Sequence, residues 1–268
     1  MAERAFSAAR LPGFATVAIL VFCALYAPIL MLVAYSFNAG EGVATFEGFS
    51  LRWYASAWAN EQVKEATLRS VQIATAAAVI STAAATMAAL GTTRRKRFRG
   101  QTLIYVLINQ PLMVPEIVTA VALLIFFASI KVATGYQGLG YLILAHSAFC
   151  IPFAYLPIRA RLEGMDRTLE TAAADLYATP WRTFRYVTLP LLLPGVVAGM
   201  MLAFVTSLDD VVITLFVKSA GQDTLPTFML GQIRRSVTTE VNAISTMLLG
   251  LTVVLLTIFF FLTRERKS

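Results

Sequence analysis

An all-α integral membrane protein with about six transmembrane helices is the fold class this sequence predicts, on three observations. Of its 268 residues, 58% are hydrophobic and 14% charged, whereas a soluble domain is typically about 25% charged. The mean hydropathy is +0.71. Several apolar runs reach about 18 residues or more, the length that crosses the hydrocarbon of a bilayer as a helix.

Taken in order, residues 13–35 form the first span, preceded by Arg4 and Arg10. The run is too long for a signal peptide and lacks a small-residue cleavage site, so it reads as a retained helix. Residues 36–70 form a polar connector. The second span, 71–90, is rich in Ala, which suits close helix packing in lipid. The basic cluster of Arg94, Arg95, Lys96, Arg97 and Arg99 reads as a cytoplasmic anchor rather than a nucleic-acid patch. The third span, 102–130, is interrupted by Pro111 and Pro115, and a short turn leads to the fourth, 139–158. A polar segment, 163–190, precedes the fifth span, 191–216. The sixth span covers 243–262, after the connector 217–242. Residues 1–268 thus read as one transmembrane domain.

The charge distribution orients the chain, because basic residues collect on the cytoplasmic side. With the N-terminus inside, the inner segments hold fifteen of the 22 lysines and arginines. Both termini and the segment 163–190 are then cytoplasmic. The net charge of +7 is therefore a topology signal and no argument for nucleic acid.

Ionisable groups at membrane depth are costly and usually face a path or a partner. Glu116 lies about 20 Å along the third span, and Asp209 and Asp210 reach a similar depth on the fifth, at 1.5 Å per residue. If these carboxylates face one cavity, it attracts cations. On a continuous helix Asp209 and Asp210 would point about 100° apart, so one of them would line the path. The bland reading is structural: capping of a broken helix or pairing with an arginine. Tyr105 and Phe204 could add cation–π contacts, although simple packing explains both.

The stretch from Leu169 to Pro194 reads LETAAADLYATPWRTFRYVTLPLLLP and is too polar at first to sit in lipid. Ala172, Ala173 and Ala174 favour helix, and Glu170 and Asp175 give it a wet side. Thr179 and Pro180 read as N-cap and first helical residue of a second helix. Trp181, Phe184 and Val187 follow at spacings of three, on one face. Pro190 and Pro194 should break the chain before the next span. Two short helices meeting at an elbow would suit a docking element gripped by a partner.

This segment resembles the cytoplasmic EAA loop of ABC importer permeases. Thr171-Ala172-Ala173 falls on the Glu-Ala-Ala triplet, Tyr177 on the Gly, Val187 on the β-branched position and Leu189-Pro190 on the closing Leu-Pro. Thr171 and Tyr177 depart from the pattern, and a Gly at 177 would have allowed an unusual turn. The resemblance implies a type I importer permease fold. It also implies coupling to an ATPase through Thr171, Ala172, Ala173, Tyr177, Pro180, Leu189 and Pro190.

Ser207-Leu208-Asp209-Asp210, Thr224-Leu225-Pro226 and Asn242-Ala243 carry a second resemblance, to permeases of spermidine/putrescine ABC importers. It implies a bacterial inner-membrane protein paired with a homologous companion permease. Two ATPase subunits carrying ATP and Mg would sit inside, and a polyamine-binding protein in the periplasm. Putrescine or spermidine would then move inward by alternating access, past Asp209, Asp210 and Glu116. The alternatives are an ABC permease for another small solute and a proton-coupled secondary transporter.

The remaining chemistry-bearing residues add little. Cys23 and Cys150 lie in apolar runs without metal or redox spacing. His146 stands alone in the fourth span and reads as a hydrogen-bonded packing residue. Without a Walker sequence the chain should bind no ATP itself and need no cofactor. No nucleophile–base spacing points to an enzyme.

Overall fold

A computed structural model of the chain describes residues 13–94, 98–136, 138–236 and 238–263. Arg4, Arg10, Arg95, Lys96, Arg97 and the basic tail, all used in the charge count, lie outside the described residues. Among the described residues, six helices are long and apolar enough to cross a membrane. The chain divides into two compact units, one of residues 1–60 and 231–250, the other of 61–230 and 251–268.

In the first unit, α1 (Phe14–Tyr35) and α2 (Arg52–Ala59) flank a loop folded around one buried side chain. The amide of Asn38 donates to the carbonyls of Gly42 (3.0 Å) and Thr45 (2.8 Å). Its oxygen accepts from the backbone of Gly40 (3.2 Å) and Glu47 (2.7 Å). Trp53 Nε1 closes the loop on the Asn38 and Gly40 carbonyls. Thr239, at the start of α12 (Thr239–Thr263), donates its hydroxyl to Gly40 O at 2.9 Å. The connector expected at 36–70 is thus an ordered element, because Asn38 meets backbone groups that no helix or strand serves.

The second unit is built on α3 (Glu61–Thr93), α6 (Gly140–Glu163) and α9 (Leu189–Leu208). Small residues let these helices meet closely in an environment with little hydrophobic drive between them. Ala74, Ala77, Ala85 and Ala89 of α3 are fully buried, as are Ala145 and Ala154 of α6. A Cβ added to Gly199 of α9 would lie 2.6 Å from the Ala154 carbonyl oxygen. Around this centre lie α4 (Gln101–Met113), α5 (Glu116–Thr134) and α10 (Val212–Val217), and α11 (Leu225–Ile233) begins in this unit, where Leu225 N donates to Ser70 Oγ at 2.8 Å.

Several expected boundaries differ, each for a local reason. The helix containing span 71–90 begins ten residues earlier, at Glu61, where Lys64 pairs with Glu61 (2.7 Å) and Arg69 with Glu65 (2.9 Å) one turn apart. Pro111 stays inside α4, and the third span breaks instead at Val114 and Pro115, which are extended. A residue before proline is driven out of the helical region. The fifth span is also two helices, since α9 ends at Leu208 and α10 starts at Val212.

The expected break at Pro190 and Pro194 does not occur. α8 (Pro180–Thr183) runs through a π-helical turn, Phe184–Thr188, directly into α9. Proline cannot donate to the residue four before it and crowds that carbonyl. The wider π turn just ahead of Pro190 takes up that missing bond.

Candidate functional site

Both broken spans break at their carboxylates. Glu116 opens α5 directly after the extended Val114-Pro115 pair. Asp209 ends α9, and Asp210 lies in the link to α10. Asp209 and Asp210 therefore do not share a helix, and the expected 100° divergence does not apply. Asp209 is exposed, whereas Asp210 is 6% exposed. The Glu116 and Asp210 carboxyl groups are close neighbours across the two breaks. Two of the three expected carboxylates thus meet, and the third faces away from the packed interior.

Asp210 is held by its own helix and by α6. Its oxygens accept from the backbone of Ile213 (3.2 Å) and Thr214 (2.9 Å) and from the Thr214 hydroxyl (2.8 Å). It thereby caps the first turn of α10, as acidic side chains do at helix starts. His146, 1% exposed, places Nε2 3.0 Å from Thr214 Oγ1 and 3.4 Å from Asp210 Oδ2, and Nδ1 2.8 Å from Ser207 Oγ. Thr214 gives its only hydroxyl proton to Asp210, so Nε2 must carry the proton donated to Thr214. With Nδ1 accepting from Ser207, every polar atom of the neutral ring is satisfied. His146 is a hydrogen-bonded packing residue and also ties α6 to both sides of the break.

The aromatic expectations resolve separately. The Tyr105 ring lies 4.9 Å from the guanidinium of Arg159, so its face is already taken by a cation of this chain. Phe204 packs against the hydrophobic core.

The segment after α6 forms α7 (Thr168–Asp175), then an elbow, then α8. Asp166 accepts the Thr168 N–H at 2.9 Å, and that bond holds its carboxyl below the usual carboxylate range. Thr179 caps α8 by accepting from Arg182 N at 3.4 Å, with Pro180 next to it. Tyr177 has φ +57°, the only positive φ outside glycine among the described residues. The turn that a Gly would make without strain is therefore made here by a tyrosine. Tyr177 and Leu176 are 95% and 82% exposed. The Trp181 and Phe184 rings pack at a tilt, with centroids 5.7 Å apart.

The wet side expected of α7 is only half wet. Asp175 is exposed, but Glu170 turns inward, 3.2 Å from Arg94 Nε, and accepts the Thr188 hydroxyl at 2.9 Å. Neither Arg94 nor Thr188 stood out in the sequence as a site residue. The available signal for the His146 cluster was Asp210 itself, a capping residue type just ahead of the run 211–217. For Arg94 and Glu170, 76 residues apart, the sequence held no comparable signal.

Residues 81–264 match the family model of the binding-protein-dependent transport system inner membrane component. The chain is 38% identical over 244 residues to the putrescine transport system permease protein PotI of Escherichia coli K12, covering 90% of this chain and 87% of that one. It is 36% identical over 247 residues to the spermidine/putrescine transport system permease protein PotC of Haemophilus influenzae, covering 92% and 95%. The fold is similar to a bacterial ABC transporter involved in import of the acidic polysaccharide alginate, with a TM-score of 0.68 at 14% identity over 94% of this chain and 93% of that one. With most of its length matched and its apolar helices in place, this multi-pass membrane protein belongs to the family of binding-protein-dependent transport system inner membrane components, as a transport permease subunit.

Proposed function

We propose that this chain is the permease subunit of an ATP-driven importer of polyamines, moving putrescine or spermidine from periplasm to cytoplasm by alternating access. It works beside a homologous companion permease, with two ATPase subunits inside and a periplasmic polyamine-binding protein outside. ATP and Mg belong to the ATPase partners. Both termini and the α7–α8 loop lie in the cytoplasm, in keeping with the distribution of Lys and Arg. Thr171, Ala172, Ala173, Tyr177, Pro180, Leu189 and Pro190 belong to the surface that couples to the ATPase.

The observation that carries the reading is that Glu116, Asp209 and Asp210 all stand at breaks in two membrane spans. Carboxylates at membrane depth are too costly to keep without use. A broken helix also frees backbone carbonyls that can assist a cation. Exposed Asp209 and half-buried Glu116 contact the ammonium groups. Asp210, tied to His146 and Thr214, shapes the path from behind. Binding by few charges keeps the hold weak, so the substrate is released inward.

Uptake of labelled putrescine and spermidine by proteoliposomes holding the assembled complex tests this reading. ATP-dependent uptake that falls on Asp209→Asn, with assembly and hydrolysis intact, is expected. Uptake unchanged by Asp209→Asn and Glu116→Gln together removes the carboxylate path. Absence of polyamine uptake by the unmutated complex reduces the chain to a permease for another solute.

A further inference from the structure

We propose that Glu170 is the positioning residue through which the α7–α8 loop moves the membrane helices, with Arg94 as its counter-charge; this rests on the ATP-driven reading above. One carboxylate oxygen, Glu170 Oε1, serves two different helices. It lies 3.2 Å from Nε of Arg94, which follows the end of α3, and accepts the hydroxyl of Thr188 (2.9 Å), the last residue of the π turn below α9. A second tie runs beside it, from Arg167 Nη2 to the Thr93 carbonyl at 3.0 Å. The far side of the loop is open, with Leu176 and Tyr177 almost fully exposed. A push on that open side is therefore transmitted at Glu170 and Arg167, to the two helices that pack along α6 at the centre of the unit.

The pair is shielded enough to act: the Arg94 and Glu170 side chains are 15% and 23% exposed, so salt screens them less than a surface pair. It is also incompletely made. Nε of Arg94 lies close to the carboxylate but forms no directed hydrogen bond, and Nη2 is buried without a partner among the described residues. A guanidinium has five donors in a fixed fork and favours two parallel bonds to a carboxylate. A small displacement of α7 would let the fork engage fully, so the contact has a second, better-bonded arrangement to move into. A mere staple would have no such arrangement, and losing it would alter assembly or stability instead of transmission.

The test is the ratio of substrate moved to ATP hydrolysed by the full complex in proteoliposomes. Glu170→Leu is expected to lower that ratio about tenfold, a coupling loss of the usual allosteric size, with hydrolysis continuing. Glu170→Gln, which keeps an acceptor oxygen, should fall between Leu and wild type. The exchange Arg94→Glu with Glu170→Arg should recover part of the loss. An unchanged ratio in Glu170→Leu overturns the proposal. If that variant fails to assemble, Thr188→Val removes one of the two links alone, and an unchanged ratio there overturns it equally. Wild-type complex that takes up no substrate with ATP would instead sink the function on which the inference rests.

Discussion

His146 and Asp210 stand 3.4 Å apart in the closed interior, each 1% exposed at the side chain, and Thr214 bonds to both. The pair joins the second turn of α6 to the break between α9 and α10. Removing one member of a buried charged network leaves the other's oxygens or protons unmet. Asp210→Ala should therefore destabilise the purified protein by about 2–4 kcal/mol, read as a lower unfolding midpoint in detergent. His146→Ala should follow it in direction. Their double variant should lose less than the sum, because the residues share partners.

Asp209 should behave in the opposite way. It is exposed and its carboxylate makes no hydrogen bond among the described residues, so Asp209→Asn should shift stability by less than about 0.5 kcal/mol. Its effect should fall on transport, as a raised apparent KM for polyamine with the ATPase rate preserved. Unfolding scans and uptake kinetics on the same preparation separate the two aspartates. A drop in stability as large as that of Asp210→Ala would contradict this assignment.

Tyr177 holds a left-handed backbone at φ +57°, which costs an L-residue about 1–2 kcal/mol relative to the right-handed form. Tyr177→Gly should relieve that strain, offset in part by the greater freedom of glycine in the unfolded chain. Hydrogen exchange at 176–179 should stay equal or slow. Tyr177→Val, β-branched at the same φ, should speed exchange there. If the exposed ring itself meets the ATPase, Tyr177→Gly will weaken hydrolysis-driven uptake while leaving the turn intact.

Gly199 gives α9 its close approach to α6, since an added Cβ would sit 2.6 Å from the backbone oxygen of Ala154. That atom is main chain and has little freedom to yield. Gly199→Ala should cost about 1–3 kcal/mol by overpacking. Gly250, with open space around its missing Cβ, supplies the control: Gly250→Ala should be neutral or slightly stabilising, since alanine favours helix. Paired melting curves in detergent decide between them.

Much of this molecule was legible in its order of residues. Hydropathy over about 18 residues marks the spans, because crossing hydrocarbon demands that length of apolar residues whatever their neighbours are. The spacing from Thr171 to Pro190 marks the loop, and Thr179-Pro180 marks a helix start, because capping is local chemistry. That Glu116, Asp209 and Asp210 interrupt apolar runs was equally plain, since the cost of a charge in lipid belongs to the residue.

What only the tertiary structure decided depends on distance in space. Asp209 and Asp210 are identical neighbours in sequence, yet one is exposed and the other meets His146, 64 positions earlier. No local rule separates them, because the break that parts them is stabilised by Ser207, Thr214 and α6 together. Pro190 looked like an end, and a π turn carried the helix past it. Glu170 looked solvated, and Arg94 looked like one more cytoplasmic anchor. Folding brought them within 3.2 Å, because the packing of α3 against α6 and α9 sets where the end of α3 and the loop meet. Composition and spacing dictate which groups must be buried or capped, and the packed helices choose which partner does it.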